Sequence, residues 1–269
     1  TKNIITIHYL RKLLISKFFL NKFFLNFYYK IFLKKIDRII VVSNSIKKEI
    51  LNLTGNLNIS VIYNTIDEKF FQKINSKKLL SIKKKYNLKN FFLLTVGHQE
   101  KRKNFIRLIK AIYILKKDIK NIQLIIIGQK SDQSEKIRKL IYDLDLDENV
   151  KILSNLDDSE VRCFYRLSKL FVFPSIYEGF GIPILESMAS KLPMVLSNIE
   201  VFREITENQY EYFDEFDPLS IANKIKFVLN QKKIRDKMII YGVKRVNFFR
   251  LKKQRKNLIK IYNKFNSTK

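Results

Sequence analysis

Leu170-Phe-Val-Phe-Pro174-Ser-Ile-Tyr-Glu178-Gly179-Phe180-Gly181-Ile182-Pro183-Ile-Leu-Glu186-Ser-Met-Ala189 contains the change of pattern on which the fold reading turns. The apolar run Leu170 to Phe173 has the length of a buried strand. Pro183 suits the first turn of a helix, where its missing N–H removes no bond. The pattern predicts a strand over 170–173, a loop with two glycines, and a helix over 183–190. Gly179 and Gly181 permit backbone conformations closed to other residues and let a ligand approach the main chain. The amide groups and positive dipole end of the helix face that loop, which suits a diphosphate. Glu178 lies in the loop and Glu186 on the helix, with seven residues between them. One carboxylate can address a sugar ring while the other accepts hydrogen bonds from ribose hydroxyls. Two glutamates at this spacing also arise by chance, as a loop carboxylate and an exposed helix residue. The Gly-Phe-Gly-x-Pro-x-x-Glu context after a buried strand is what gives the pair weight.

Working outward, short apolar runs alternate with longer helical patterns. Toward the amino terminus, strands are expected at Phe92 to Val96, Gln123 to Ile127 and Val150 to Leu153. Helices are expected at Asn104 to Lys116, Gln133 to Leu144 and Asp158 to Leu167. Beyond the quoted stretch come a strand at Met194 to Leu196 and helices from Pro218 to the end. Before it, Ile4 to Ile7, Arg38 to Val42 and Val61 to Tyr63 read as strands, and Lys12 to Lys34 as a helix. Ser43 is placed to cap a helix through Ile46 and Ile50. Asn64-Thr65-Ile66-Asp67 is a break, and the Lys-rich stretch that follows suits a connection with one helix. Alternation of this kind predicts an α/β chain with parallel sheets covered on both faces, binding ligands beyond the carboxyl ends of the strands.

The 269 residues are 46% hydrophobic, enough for a real core. Cys163 is the only cysteine. It reads as a small core residue rather than a catalytic thiol, and a cytoplasmic setting fits. The 53 Lys and Arg against 25 Asp and Glu give a net charge of +28. Three explanations compete: a Lys-, Asn- and Ile-rich composition, attraction to an anionic membrane surface, and nucleic acid. The lysines are spread along the chain and no nucleic-acid module is present, so no nucleic-acid partner is expected. No stretch reaches the roughly 18–20 apolar residues of a spanning helix. The Phe-rich run from Lys12 to Ile36, broken by Lys17, Lys22 and Lys30, reads equally as a half-buried helix or as one lying on a membrane surface.

The quoted segment resembles the Glu-x7-Glu region of glycosyltransferase family 4 (group 1), whose members have the GT-B fold of two Rossmann-like domains. Val96-Gly97-His98-Gln-Glu-Lys-Arg102-Lys103-Asn104 is similar to the first strand, loop and helix of that family's donor domain, with His98 a departure. Ile127-Gly128 and Leu153-Ser154 resemble positions bordering the nucleobase pocket. Ile36 to Ser43 resembles the last βα unit of the acceptor domain, and Val61 to Asp67 the hinge that leaves it. His8 sits where the family often has a histidine facing the donor sugar; read from the residues alone, it is equally a satisfied histidine at a strand end.

The resemblance implies a GT-B fold with an incomplete amino-terminal domain. Residues 1–67 would be a remnant of the acceptor domain, 68–90 a connection, 91–240 the nucleotide-sugar domain, and 241–269 a helix returning toward the first domain. The chain starts at Thr1, and a mature or truncated piece is expected. The implied reaction is transfer of a sugar, with retention, from a nucleotide sugar to a polysaccharide or lipid-linked glycan. Arg102 and Lys103 would neutralise the departing diphosphate, since fixed cations stabilise charge that grows in the transition state. They would be joined by amides near Gly179, Phe180, Gly181 and Ile182. Glu186 would hold the ribose, Glu178 and His8 would serve the sugar, and Gly97, Gly128 and Ser154 would line the donor site. The family implies no metal and no cofactor beyond the donor. The Arg-Lys-Asn string is similar to that of bacterial polysaccharide mannosyltransferases, which points to GDP-mannose. The expected location is the cytoplasm, peripheral on the inner membrane face. The alternatives are a truncated nucleotide-sugar-binding fragment without catalysis, a basic membrane-surface or nucleic-acid-binding protein, and another GT-B enzyme such as an epimerase.

Overall fold

The computed structural model describes residues 3–10, 27, 29–55 and 58–267. In chain order the first elements are β1 (Ile4–Ile7), β2 (Arg38–Val41), α1 (Asn44–Thr54), β3 (Ile59–Val61) and α2 (Ser76–Lys85). Then come β4 (Leu93–Val96), α3 (Phe105–Lys116), β5 (Leu124–Ile127), α4 (Ser134–Asp143), β6 (Val150–Leu153), α5 (Asp158–Leu167), β7 (Leu170–Phe173) and α6 (Ile182–Ala189). The chain closes with β8 (Met194–Ser197), α7 (Glu200–Thr206), β9 (Glu211–Phe213), α8 (Pro218–Asn230), α9 (Lys232–Arg245) and α10 (Leu251–Ser267). These form two compact units: residues 1–65, 178–182 and 249–269, and residues 66–177 and 183–248.

The first unit is built on a parallel sheet of order β1-β2-β3, with Ile5 opposite Ile39 and Ile39 opposite Ile59. Ser43 caps α1 by accepting the Ile46 amide at 3.2 Å, satisfying one of the helix's orphan donors. The third strand lies two residues earlier than the alternation suggests. Ile59 to Val61 carry the ladder, while the Tyr63 side chain is used for packing and accepts a bond from Asn44 Nδ2 at 2.8 Å. Of the helix expected over 12–34, residues 29–34 are helical; most of the remainder lies outside the described residues.

The second unit holds a six-stranded parallel sheet of order β6-β5-β4-β7-β8-β9. The inner strands β5, β7 and β8 are buried at every residue, so their sequences are continuous apolar runs without alternation. The edge strands β6 and β9 are only partly buried. Cys163 is fully buried on α5, and burial pushes its thiol above the ordinary range. The Lys-rich stretch of residues 68–90 is part of this unit. Its helix α2 is followed by Tyr86, whose ring meets Phe164 at 5.3 Å and whose hydroxyl donates to Glu160 at 2.8 Å. Asp157 and Glu160 form a reciprocal capping box at the start of α5.

Candidate functional site

The strand order of the second unit dictates where a ligand can enter. From β4 the chain winds outward through β5 to β6, then returns to β7 on the other side of β4 and winds away through β8 to β9. The loops after β4 and β7 therefore run in opposite directions and leave a crevice at the carboxyl end of the sheet. The sequence puts its most distinctive residues on these two loops.

After β4, Gly97 has φ +156, and the Lys103 side chain lies directly over it. A Cβ built on Gly97 would sit 2.8 Å from Lys103 Cε. Lys103 is only 6% exposed, with its ammonium 4.9 Å from the centre of the Phe173 ring. Arg102 is turned back through its Nε onto Glu100 at 2.8 Å, and both side chains are largely buried. Neither cation is the freely solvated residue that a lysine-rich chain would supply by chance. Asn104 explains how the turn is made. It adopts the left-handed conformation (φ 59), which asparagine tolerates better than most residues. Its amide donates to the carbonyls of Pro174 at 3.0 Å and Glu215 at 2.7 Å. The Ile176 amide donates to the Arg102 carbonyl at 2.9 Å, so the loops after β4 and β7 are stitched together.

The ends of β4, β5 and β6 pack closely. A Cβ on Gly128 would lie 2.5 Å from the Gly97 carbonyl carbon and closer still to its oxygen. Ser154 Oγ donates to the Gly128 carbonyl at 2.9 Å. His98 is exposed, and its Nδ1 accepts the Gln129 amide at 3.3 Å, which gives this departure from the expected pattern a structural role.

Glu186 is half-buried on α6, and its Oε2 accepts the Tyr165 hydroxyl at 2.6 Å. Burial pushes its carboxyl up to about 7, with the Asp158 and Asp67 carboxylates adding to the rise and Tyr165 and Lys103 opposing it. Gly97, Arg102, Lys103, Gly128, Ser154 and Glu186 thus all lie in the second unit.

The other residues singled out from the sequence belong to the first unit. Gly179 packs on the main chain of His8: a Cβ would lie 3.0 Å from the His8 carbonyl carbon, with the oxygen nearer still. Ser43 Oγ donates to the Gly179 carbonyl at 2.8 Å. Phe180 is 3% exposed, its ring 6.1 Å from Tyr63 and 5.8 Å from Phe249. What Phe180 can offer a ligand is therefore main chain alone. Gly181 has φ 121, Ile182 is exposed, and Glu178 is half-buried. His8 is exposed at the end of β1 and lines a cavity of about 310 Å³ with Thr6, Tyr63, Asn64, Gln254 and Arg255 among its neighbours. Sequence reading assigned no such contacts to Asn104 and Tyr165, which hold the loop after β4 and Glu186 in the second unit, or to Ser43, which holds Gly179 in the first. An asparagine just ahead of α3 was a usable signal for the first, and the strand-end serine for the third; nothing local marks Tyr165.

The family model described as glycosyl transferases group 1 matches residues 76–245. The O-antigen chain mannosyltransferase RfbU of Salmonella typhimurium is 30% identical over 225 residues, which are 82% of this chain and 59% of that protein. The serotype-specific mannosyltransferase WbdA of Escherichia coli is 29% identical over 205 residues, 74% of this chain and 25% of that one. This chain thus spans less than two thirds of the length of these relatives. Among solved structures, Anabaena HepE in complex with UDP and glucose superposes with a TM-score of 0.84 at 16% identity, covering 97% of this chain and 71% of that one. The fold is thus that of the GT-B glycosyltransferases.

Proposed function

Because this chain belongs to the group 1 glycosyl transferases, we propose that it binds a nucleoside-diphosphate sugar and transfers the sugar, with retention, to a polysaccharide or lipid-linked glycan. The observation that carries this reading is that Lys103, in the loop after β4, and Glu186, on the helix after β7, both belong to the β4/β7 crevice, with the Lys103 charge lowering the Glu186 carboxyl. A buried cation and a half-buried carboxylate suit the diphosphate and ribose ends of one ligand. In the proposed reaction the bond from the anomeric carbon to the β-phosphate oxygen breaks, and its electron pair leaves with the diphosphate. The acceptor oxygen bonds to the same face of the sugar and passes its proton to the departing phosphate oxygen. Arg102 and Lys103 stabilise the charge that accumulates there. No metal enters this scheme.

GDP-mannose is the donor to test first, supported by the Arg-Lys-Asn string and by two relatives that are mannosyltransferases by name. A ligand that binds only the folded form raises its melting temperature. In a thermal-shift screen, GDP and GDP-mannose should stabilise the chain more than UDP, ADP or their sugars, and Lys103→Met should abolish the shift. A shift from UDP compounds alone would remove the mannose assignment. No shift from any nucleotide would remove the donor-site reading.

Peripheral attachment to an anionic membrane is part of the same reading. Among the described residues no helix is long and apolar enough to cross a membrane. On α10, Lys252, Lys256 and Lys260 recur at four-residue spacing on one exposed face, and residues 251–267 include no acidic side chain. Exposed Leu251, Ile259 and Tyr262 provide apolar contacts on the same helix. The protein should sediment with vesicles containing phosphatidylglycerol but not with neutral ones, and release in high salt. Lys252→Glu/Lys256→Glu/Lys260→Glu should lower the bound fraction several-fold; unchanged binding would exclude α10 as the contact.

A further inference from the structure

Tyr165 lies in the last turn of α5 and is 1% exposed. Its ring stands edge-on to Phe70 at 5.7 Å and tilted against Phe171 at 5.6 Å, which leaves it little rotational freedom. A phenol buried this deeply needs a polar partner, and its hydroxyl meets Glu186 Oε2 at 2.6 Å. That length is in the charge-assisted range. The phenol is the donor, because burial and the adjacent carboxylate push its ionisation well above the ordinary value.

We propose that Tyr165 is a positioning residue for the nucleotide donor: its hydroxyl fixes the orientation of Glu186 and keeps that carboxylate in the accepting form that a ribose diol requires. This rests on the reading of Glu186 as the ribose ligand. A carboxylate can accept several hydrogen bonds, whereas its protonated form gives up acceptor capacity and adds a donor. The charge at Glu186 is finely balanced. Burial raises its carboxyl, Asp158 at the start of α5 and Asp67 raise it further, and the Tyr165 hydroxyl and the Lys103 ammonium lower it, leaving it at about 7. Of the opposing groups Tyr165 has the larger influence and makes direct contact. Removing one oxygen atom from the ring therefore moves Glu186 toward its protonated form at neutral pH, with no change at the diphosphate end.

The test is calorimetric titration of GDP and of UDP into the protein between pH 5.5 and pH 9. Wild-type affinity should rise with pH through about 7. Tyr165→Phe should displace that rise upward, with affinity about tenfold lower at pH 6.5 and close to wild type at pH 8.5. Incorporation of 3-fluorotyrosine at 165, a stronger donor of nearly the same shape, should displace the rise downward. It also covers the case in which the Phe variant folds poorly. Equal weakening of Tyr165→Phe at every pH would mark a packing role, and absence of displacement in both variants would overturn the proposal. Glu186→Gln separates the two layers of the argument. If it binds as well as wild type, the ribose reading fails; if it loses binding while the Tyr165 variants keep the wild-type midpoint, only the role of Tyr165 fails.

Discussion

Glu186→Gln should lose nucleoside-diphosphate binding by roughly 100-fold and, at pH 8, should unfold at a higher temperature than the wild type. The loss follows from the proposed ribose role: an amide with one acceptor would replace a carboxylate that can accept from two hydroxyls, at about 1.5–3 kcal/mol for each bond to a charged group. The gain follows from proton linkage. Glu186 has its carboxyl raised from 4.5 to about 7 in the folded chain. Between those values the folded state holds a proton that the unfolded state has released, so stability falls as pH rises. The loss is complete above pH 7 and reaches up to about 3 kcal/mol. Glutamine cannot ionise and still accepts the Tyr165 hydroxyl, so the variant is spared this loss. The two proteins should melt together near pH 4 and separate by several degrees at pH 8, as followed by calorimetry. Equal melting temperatures at pH 8 would mean that the carboxylate is not destabilised where it sits.

Gly128→Ala should destabilise the chain by on the order of 3–5 kcal/mol, a large effect for the addition of one methyl group. The new carbon would overlap the Gly97 carbonyl, which is main chain between two strands that pair residue by residue from Leu93 and Leu124 to Val96 and Ile127. Relief requires β4 and β5 to part at the crevice, displacing Gly97 and the Lys103 side chain that rests on it. Gly55→Ala is the control: nothing lies within 4 Å of its Cβ, and the strain is confined to φ +82. That change should remove only about 1 kcal/mol. Denaturant melts of both variants check the contrast, and a Gly128→Ala midpoint no lower than that of Gly55→Ala would refute it.

Much of the second unit can be read from the chain because its elements are signalled locally. The bounds of β6, α5 and β7 match the expectation to the residue: β6 stops before Ser154, and α5 runs between its caps Asp157 and Ser168. The parallel sheet follows from β–α alternation, and the crevice from the order of the strands. The third strand of the first unit was misplaced because Val61, Ile62 and Tyr63 are as apolar as Ile59, and only pairing with Ile39 chooses between them. Residue identity showed Glu186 and Lys103 as candidates, but their state was not legible. The burial of Lys103 against Phe173 and the raised carboxyl of Glu186 depend on side chains far away in sequence, as distant as Asp67 in the second case. Tyr165 gave no local sign, because its partner is on the next helix, beyond β7. Phe180 was expected to offer its amide, and only the positions of Tyr63 and Phe249 show that its ring is used for packing.

The assignment of residues 178–182 to the first unit has a consequence for how such a protein can be recombined. The chain passes from one unit to the other near residues 65, 177, 182 and 248, so neither unit is a single block of sequence. A crossover near residue 65 alone would graft a foreign Gly179-Phe180 onto a surface shaped by His8, Ser43, Tyr63 and Phe249. The five residues of this loop are inherited with the second unit but must fit the first. A chimera that exchanges the second unit while keeping the first must therefore leave this loop behind when it moves everything on either side of it.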